Sequence, residues 1–371
     1  MNVMKLTEID LYLTEKCNLH CPFCSIEANN RHPSAMSLEK IFDIISEAKK
    51  LGLEELHLTG GEPSLRPDLE EIIRFAAKQG LNIRLITNGS IMNQEKLQRL
   101  YDAGLRSLMI SIDGYEDYHN RVRGKGVYAK AMKLIESSLL LDDFTLRVNS
   151  VAWKDNEREI VELARLFNRM GIHIYSIFLG SPLGFGTDAK ANVFEAREWQ
   201  RFSNHLQEIV NKEIFTMQVV IEKGFIFNDE ISLEGTLKGR GVGCYDIAGH
   251  FDYFLIRGNG DVYPCVFYSN DAPPIGNLHQ DNLQALLQRY TTDSFYKAVG
   301  RVPEECTSCY LMGTCKGGCR GYAQIYKGDW NRADPRCHLK KTEEYIPVCP
   351  IMKKNLNTGK IGGSSEQALK K

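Results

Sequence analysis

Over the first 180 residues, short alternating apolar runs are separated by longer stretches with a different period. Six runs read as strands: IDLYLT (9–14), ELHLT (55–59), NIRLIT (82–87), SLMISID (107–113), TLRVNSVAW (145–153) and IHIYSIFLG (172–180). Between them, apolar residues recur at i, i+3 and i+4 over 37–51, 68–79, 93–104, 127–141 and 157–170, which predicts helices. Several of these open on Ser, Asp or Asn and stop at Gly52, Gly80, Gly104 or Gly171, as capping chemistry prefers. Strand–helix units of about 30 residues predict an α/β fold with a parallel sheet and right-handed crossovers. A doubly wound sheet and a partial (β/α)6 TIM-like barrel both satisfy the pattern. Both gather ligands at the C-terminal ends of the strands.

The unusual residues stand at those ends. Cys17, Cys21 and Cys24 follow the first strand, and Gly60-Gly61-Glu62-Pro63 follows the second. Thr87-Asn88-Gly89 closes the third, Ser111 and Asp113 end the fourth, and Leu179-Gly180-Ser181-Pro182 closes the sixth. Either fold brings them to one crevice. Residues 1–185 are therefore read as one unit and the polar, helical stretch 186–240 as a connector. A cysteine-rich domain spans 241–345, entered through a hairpin, FDYFLIRGNGDVYPC, that turns at Gly258-Asn259-Gly260-Asp261. The tail 346–371 is polar, lacks an apolar face and is expected to be disordered.

Composition narrows the classes. Among 371 residues, 43% are hydrophobic and 25% charged, with a formal net charge of −1, so nucleic acid and anionic membranes are not expected partners. No apolar run approaches the roughly 18 to 20 residues of a membrane span. The opening MNVMKLTEIDLYL lacks the order of a signal peptide. The chain reads as cytoplasmic, where thiols stay reduced. Eleven cysteines, with none between Cys24 and Cys244, then point to metal sites rather than disulfides.

Three thiolates at C-x3-C-x2-C can reach one cubane, and a [4Fe-4S] cluster with three protein ligands keeps one iron open to an exogenous ligand. A structural zinc site would need a fourth ligand, for which His20 is the nearby candidate. Gly60 to Pro63 alone could equally be a turn at a strand end.

Together these residues resemble the radical S-adenosylmethionine enzymes, whose C-x3-C-x-φ-C motif is matched with Phe23 as the aromatic φ. The resemblance implies a partial barrel. It also implies that the amino and carboxylate groups of S-adenosylmethionine chelate the open iron. It assigns the ammonium to Glu62 and close backbone approach to Gly60 and Gly61, ahead of Pro63. Ser111 and Asp113 are placed near the ribose, and Asn88 and Leu179 along the nucleotide. In YHNRVRG, similar to the family's H-x-x-x-RG segment, Arg123 is the candidate for the methionine carboxylate, or else a cap on the strand-to-helix turn.

The later cysteines resemble the SPASM pattern: Cys244, Gly260 and Cys265, then C-x2-C-x5-C-x3-C at Cys306, Cys309, Cys315 and Cys319, then Cys337. Zinc ribbons are the other reading of such C-x2-C pairs. The resemblance implies two auxiliary [4Fe-4S] clusters, three in all. Cys244, Cys265 and Cys319 would hold the nearer and Cys306, Cys309, Cys315 and Cys337 the farther, with Cys349 a free thiol outside the pattern. Anaerobic sulfatase-maturating enzymes, similar in spacing, carry a cysteine where this chain has His250. His250 is thus a ligand, or leaves an iron open to substrate, or is a plain surface histidine. Those enzymes also place an aspartate general base after the second cysteine; here Val266 stands there and no catalytic acid or base is assigned.

The implied function is reductive cleavage of S-adenosylmethionine to a 5′-deoxyadenosyl radical that abstracts hydrogen from a peptide or protein. The alternative is a small molecule such as a sugar, a tetrapyrrole or a cofactor precursor. A pure electron carrier is disfavoured, because it has no use for an open iron beside Gly60 to Pro63. Ferredoxin or flavodoxin is the expected electron donor. With Cys17 so near the start, no fused leader-binding domain is expected, and a separate protein would present a peptide leader.

Overall fold

The computed structural model describes residues 5–28, 35–182, 192–221, 253–309 and 316–337. Alternation along the strands divides the sheet into two unlike faces. In β1 (Glu8–Thr14), Ile9, Leu11 and Leu13 are fully buried among apolar neighbours, while Glu8, Asp10 and Tyr12 point the other way. The pattern repeats in β2 (Glu55–Gly60), β3 (Asn82–Thr87), β4 (Ser107–Ser111), β5 (Thr145–Ala152) and β6 (Ile174–Leu179). Leu56, Leu58, Ile83, Leu85, Leu108, Ile110, Leu146, Val148, Tyr175 and Ile177 join one core with the helices. These are α1 (Leu38–Lys50), α2 (Leu69–Lys78), α3 (Gln94–Asp102), α4 (Glu116–Arg123), α5 (Val127–Ser138) and α6 (Glu157–Met170). The apolar outer face packs on helices, and the polar inner face is left for ligands.

Helix ends follow the capping residues. Ser37 accepts from the Lys40 N–H and Asn93 from the Lys96 N–H, while α6 stops at Gly171 in the left-handed region (φ 79°).

All six predicted strands form, in sequence order and parallel, within a ten-stranded sheet. The fourth ends at Ser111, two residues short of Asp113, where the chain turns into the site. Two further parallel strands extend this partial barrel. β7 (Gln218–Ile221) pairs with β6, following α7 (Ala196–Lys212). Of the stretch 186–240, the described part, 192–221, holds a helix and then a strand, because an edge pairing captures QVVI; the rest lies outside the described residues. On the other side β8 (Tyr253–Ile256) pairs in parallel with β1 and opens the expected hairpin. Arg257 N–H reaches Asp261 O at 2.9 Å across its turn, and β9 (Asp261–Tyr263) returns to meet β10 (Gly276–Asn277). The cysteine-rich region continues through α8 (Leu283–Thr292), α9 (Ser294–Val299) and α10 (Arg320–Lys327). Among the described residues, no helix is long and apolar enough to cross a membrane.

Candidate active site

The cysteine loop is seated before any ligand is considered. The β1–β2 register slips between Tyr12 and Thr14, a bulge that redirects the chain toward Cys17. The Gly61 and Glu62 N–H groups donate to Thr14 O and Lys16 O, each at 2.8 Å. A Cβ on Gly60 would lie 2.3 Å from Thr14 O, and one on Gly61 would lie 2.1 Å from Lys16 O. Only glycine lets the end of β2 press this closely against the loop. Arg66, which sequence reading passed over, fixes the same junction. Its Nη1 donates to Leu13 O and Met36 O at 2.9 Å, and its other edge grips Asp68 in a bidentate pair. Its signal was its place just after Gly60 to Pro63.

Glu62 is fully buried. Its Oε1 accepts from Ser64 N–H, the Ser64 hydroxyl and the Thr87 hydroxyl, while Oε2 accepts only from Asn88 N–H, at 2.8 Å. Among the described residues no cation pairs with it. A buried carboxylate so placed, with Lys96 near but not paired with it, retains acceptor capacity on Oε2 that an ammonium ligand would fill. Asn88 ties the neighbourhood together: Nδ2 donates to Asn18 Oδ1 at 3.0 Å and reaches Cys17 Sγ at 3.9 Å, while Oδ1 accepts from Ser90.

Across the site, Asp113 is buried and engaged on both oxygens, by Arg123 Nε at 2.5 Å and by Val151 N–H at 2.9 Å. Its carboxylate therefore works here as the holder of Arg123. Burial alone would depress the guanidinium pKa, but Asp113 outweighs it and raises the value, so the charge is secure. Arg123 lies 5.5 Å above the Phe23 ring, which packs 5.7 Å from Trp153. His119 accepts from Asp113 N–H on Nδ1, and burial lowers its pKa to about 4. Ser111 bonds Asn149 on β5, a polar inner-face residue sequence reading did not single out. Leu179 is buried at the end of β6, and its carbonyl accepts from Tyr322 of α10 at 3.4 Å.

Burial pushes the Cys17 thiol up to about 11 and raises Cys21. Metal binding would have to displace those protons. The thiols are not set for zinc. Tetrahedral ligands at about 2.3 Å stand roughly 3.8 Å apart. Among the described residues only Glu8, Asp10 and His57 bring three ligand atoms within 4.8 Å, and His20 is exposed. Thiolates on separate irons of a cubane need no such closeness. The donor set, the glycine-made seat and the unspent Glu62 oxygen all fit an iron–sulfur cluster with S-adenosylmethionine.

In the C-terminal region Cys265, Cys306, Cys309, Cys319 and Cys337 are placed; Cys244, His250, Cys315 and Cys349 lie outside the described residues. Asp334 links two of them: Cys319 N–H donates to its Oδ2 at 2.8 Å and Cys337 N–H to its carbonyl at 3.1 Å. Arg320, buried, donates to the carbonyls of Val299, Arg301, Lys316, Gly317 and Arg332. Two contacts dock this region beside the cysteine loop: a buried Arg257–Glu15 pair at 2.7 Å, and Asn270 Nδ2 to Ser25 O at 2.8 Å.

Comparison with known proteins agrees with this geometry. Residues 11–139 match the Radical SAM superfamily and residues 244–310 the SPASM iron-sulfur cluster-binding domain. The AdoMet-dependent heme synthase of Methanosarcina barkeri is 27% identical over 88% of this chain and 94% of its own length. The PqqA peptide cyclase of Rhodopseudomonas palustris is 27% identical over 91% of this chain and 88% of its own. Streptococcus suis SuiB, solved with S-adenosylmethionine bound, superposes with a TM-score of 0.72 at 18% identity, covering 91% of this chain and 78% of that one.

Proposed function

We propose that this chain, which belongs to the Radical SAM superfamily and carries a SPASM iron–sulfur domain, modifies a peptide or protein by abstracting a hydrogen atom from it. When bound, a reduced [4Fe-4S] cluster with S-adenosylmethionine supplies a 5′-deoxyadenosyl radical strong enough for an unactivated C–H bond. Cys17, Cys21 and Cys24 hold three irons. Glu62 receives the ammonium on Oε2, and Arg123, aimed by Asp113, receives the carboxylate. Phe23 and Trp153 wall the same side with apolar surface, which excludes competing hydrogen donors. Cys244, Cys265 and Cys319, with His250 as a further candidate, and Cys306, Cys309, Cys315 and Cys337 would hold two auxiliary clusters, which would supply electron exchange with substrate or with a ferredoxin or flavodoxin.

The observation that carries this reading is the buried Glu62 carboxylate, unpaired by any described cation, beside three thiols. The peptide cyclase relative supports a peptide substrate. The heme synthase relative, at equal identity, supports a small molecule as the second reading. With Val266 in place of an acidic residue, formylglycine formation on a sulfatase-derived peptide is not expected.

The test is anaerobic reconstitution followed by reduction with dithionite. Slow release of 5′-deoxyadenosine and methionine is expected without substrate, and Glu62→Gln should weaken it at limiting S-adenosylmethionine. Stoichiometric zinc with little iron, or wild-type turnover in that variant, would overturn the assignment. Mass change of a co-purifying or adjacently encoded peptide separates the two substrate classes.

A further inference from the structure

The inner face carries a second charged cluster, at the opposite end of the strands from the cysteines. One half pairs acids with a histidine and a tyrosine. His57 Nδ1 lies 2.7 Å from Asp10 Oδ1 and 3.3 Å from Glu8 Oε1, and Tyr253 OH donates to Asp10 Oδ2 at 2.7 Å. His57 Nε2 is 3.8 Å from Glu55 Oε2, an ionic contact beyond hydrogen-bond reach. Burial by itself would lower the His57 pKa, yet Asp10 and Glu55 outweigh it and raise it.

The other half is donor-rich and unfilled. The Arg147 side chain on β5 makes neither hydrogen bond nor close ion pair among the described residues, and its Nε is buried without a partner. Arg84 on β3 has only Glu55, at 3.6 Å, and its Nε is likewise unpartnered. Between them on β4, the buried Ser107 hydroxyl has no partner either. The register sets Arg84 beside Ser107, and Arg147 beside Met109, on adjacent strands of the same face. Burial, and then the neighbouring Arg84 charge, lowers the Arg147 pKa. Glu55 balances part of the charge of both arginines, but it leaves these donors unbonded, and buried donors without acceptors are costly unless a ligand completes them.

We propose that Arg147, with Arg84 and Ser107, anchors a carboxylate of the substrate on the inner face. The arginine fork suits a carboxylate bidentately. The assignment rests on the reading of the strand C-termini as the reacting end. Val151, whose N–H bonds Asp113 there, lies four residues beyond Arg147 on the same strand, about 13 Å at ~3.3 Å per residue. The anchor therefore lies about four extended residues, about 13 Å along the strand, from the end where hydrogen would be lost. That span suits a substrate longer than a free amino acid. It fits an acidic side chain of a peptide, or a carboxylate on a large small molecule.

Isothermal titration of the reconstituted full chain, without S-adenosylmethionine, tests this with four probes: glutarate, its uncharged diamide, inorganic phosphate, and a blocked hexapeptide carrying one glutamate. Glutarate should bind and the diamide should not. Arg147→Gln should weaken glutarate at least about tenfold, and Arg147→Lys, which keeps charge but loses the fork, less. Binding of the hexapeptide assigns the carboxylate to a peptide; binding of glutarate alone assigns it to a small molecule. Phosphate tighter than glutarate, equal binding of diamide and diacid, or indifference to both Arg147 variants would overturn the anchor. Because no radical chemistry is read, glutarate binding through Arg147 in a chain that cleaves no S-adenosylmethionine would defeat only the proposed reaction.

Discussion

Cys17, Cys21 and Cys24 leave a strand paired on both sides, β8 on one and β2 on the other, whereas Cys306, Cys309, Cys319 and Cys337 stand in turns joined through side chains. Backbone bonds from Gly61 and Glu62 and the Arg66 clamp shape the first loop, so its form follows from the sheet. In the second region one arginine gathers five carbonyls and one aspartate spans two cysteines. The turns that carry these cysteines are shaped by polar side chains, not by strand pairing, and metal binding there becomes part of their folding free energy. The contrast predicts that loss of iron silences the first region but loosens the second.

Replacing Cys17, Cys21 and Cys24 together with alanine should sharpen the contrast most. S-adenosylmethionine cleavage should vanish, while about four of about twelve iron are lost and the remainder stay bound. Loss of all iron would mean the two regions assemble as one. Arg320→Ala is the converse: it strands five carbonyls, some of them buried, so iron in the C-terminal region should fall and its protease resistance with it, while the first cluster and 5′-deoxyadenosine release persist. Equal loss from both regions, measured by iron content and Mössbauer spectra, would break the comparison.

The joint itself comes next. Arg257→Met leaves Glu15 buried and unpaired, which should cost about 3–5 kcal/mol in denaturant unfolding. The double variant Glu15→Met with Arg257→Met should recover part of it. Additivity of the two single effects would show that no coupling passes through this pair.

The smallest effect is on pH. Burial holds His119 near a pKa of about 4 in the fold against about 6.5 unfolded. The unfolded chain therefore binds the extra proton between those values. The histidine's contribution is complete above about pH 6.5 and is lost progressively as pH falls toward about 4. His119→Asn should flatten that slope. The described C-terminal region has no buried histidine, so its own unfolding should lack this component.

Much of this was legible because the inner face is polar. Runs such as Arg147-Val148-Asn149 alternate sharply, and that alternation marked the six strands and their ends. Cysteine spacing marked the metal chemistry for a similar reason, since a cubane constrains where ligands fall along the chain. The four-residue β7 was not legible, being too short for a pattern and defined by its partner. Nor were Arg257 and Arg320, because nothing local distinguishes an arginine that cages carbonyls or pairs with a buried acid from one in water, whereas Arg66 had only its place after Gly60 to Pro63 to mark it. Gly60 and Gly61 were singled out for a ligand, and the structure adds a nearer reason, the backbone of Thr14 and Lys16.

The parallel pairing of β8 with β1 bears on how the chain is made. Glu8 through Leu11 bond to Tyr253 through Ile256, so the first strand leaves the ribosome long before its second neighbour exists. Throughout synthesis of the intervening chain, β1 presents an open row of N–H and C=O groups. During that interval the strand that leads into the first cysteine loop is exposed to mispairing, and thiols not yet metallated are exposed to oxidant. Yield in a cell should therefore depend on translation speed and iron supply during elongation more than on the stability of the finished protein.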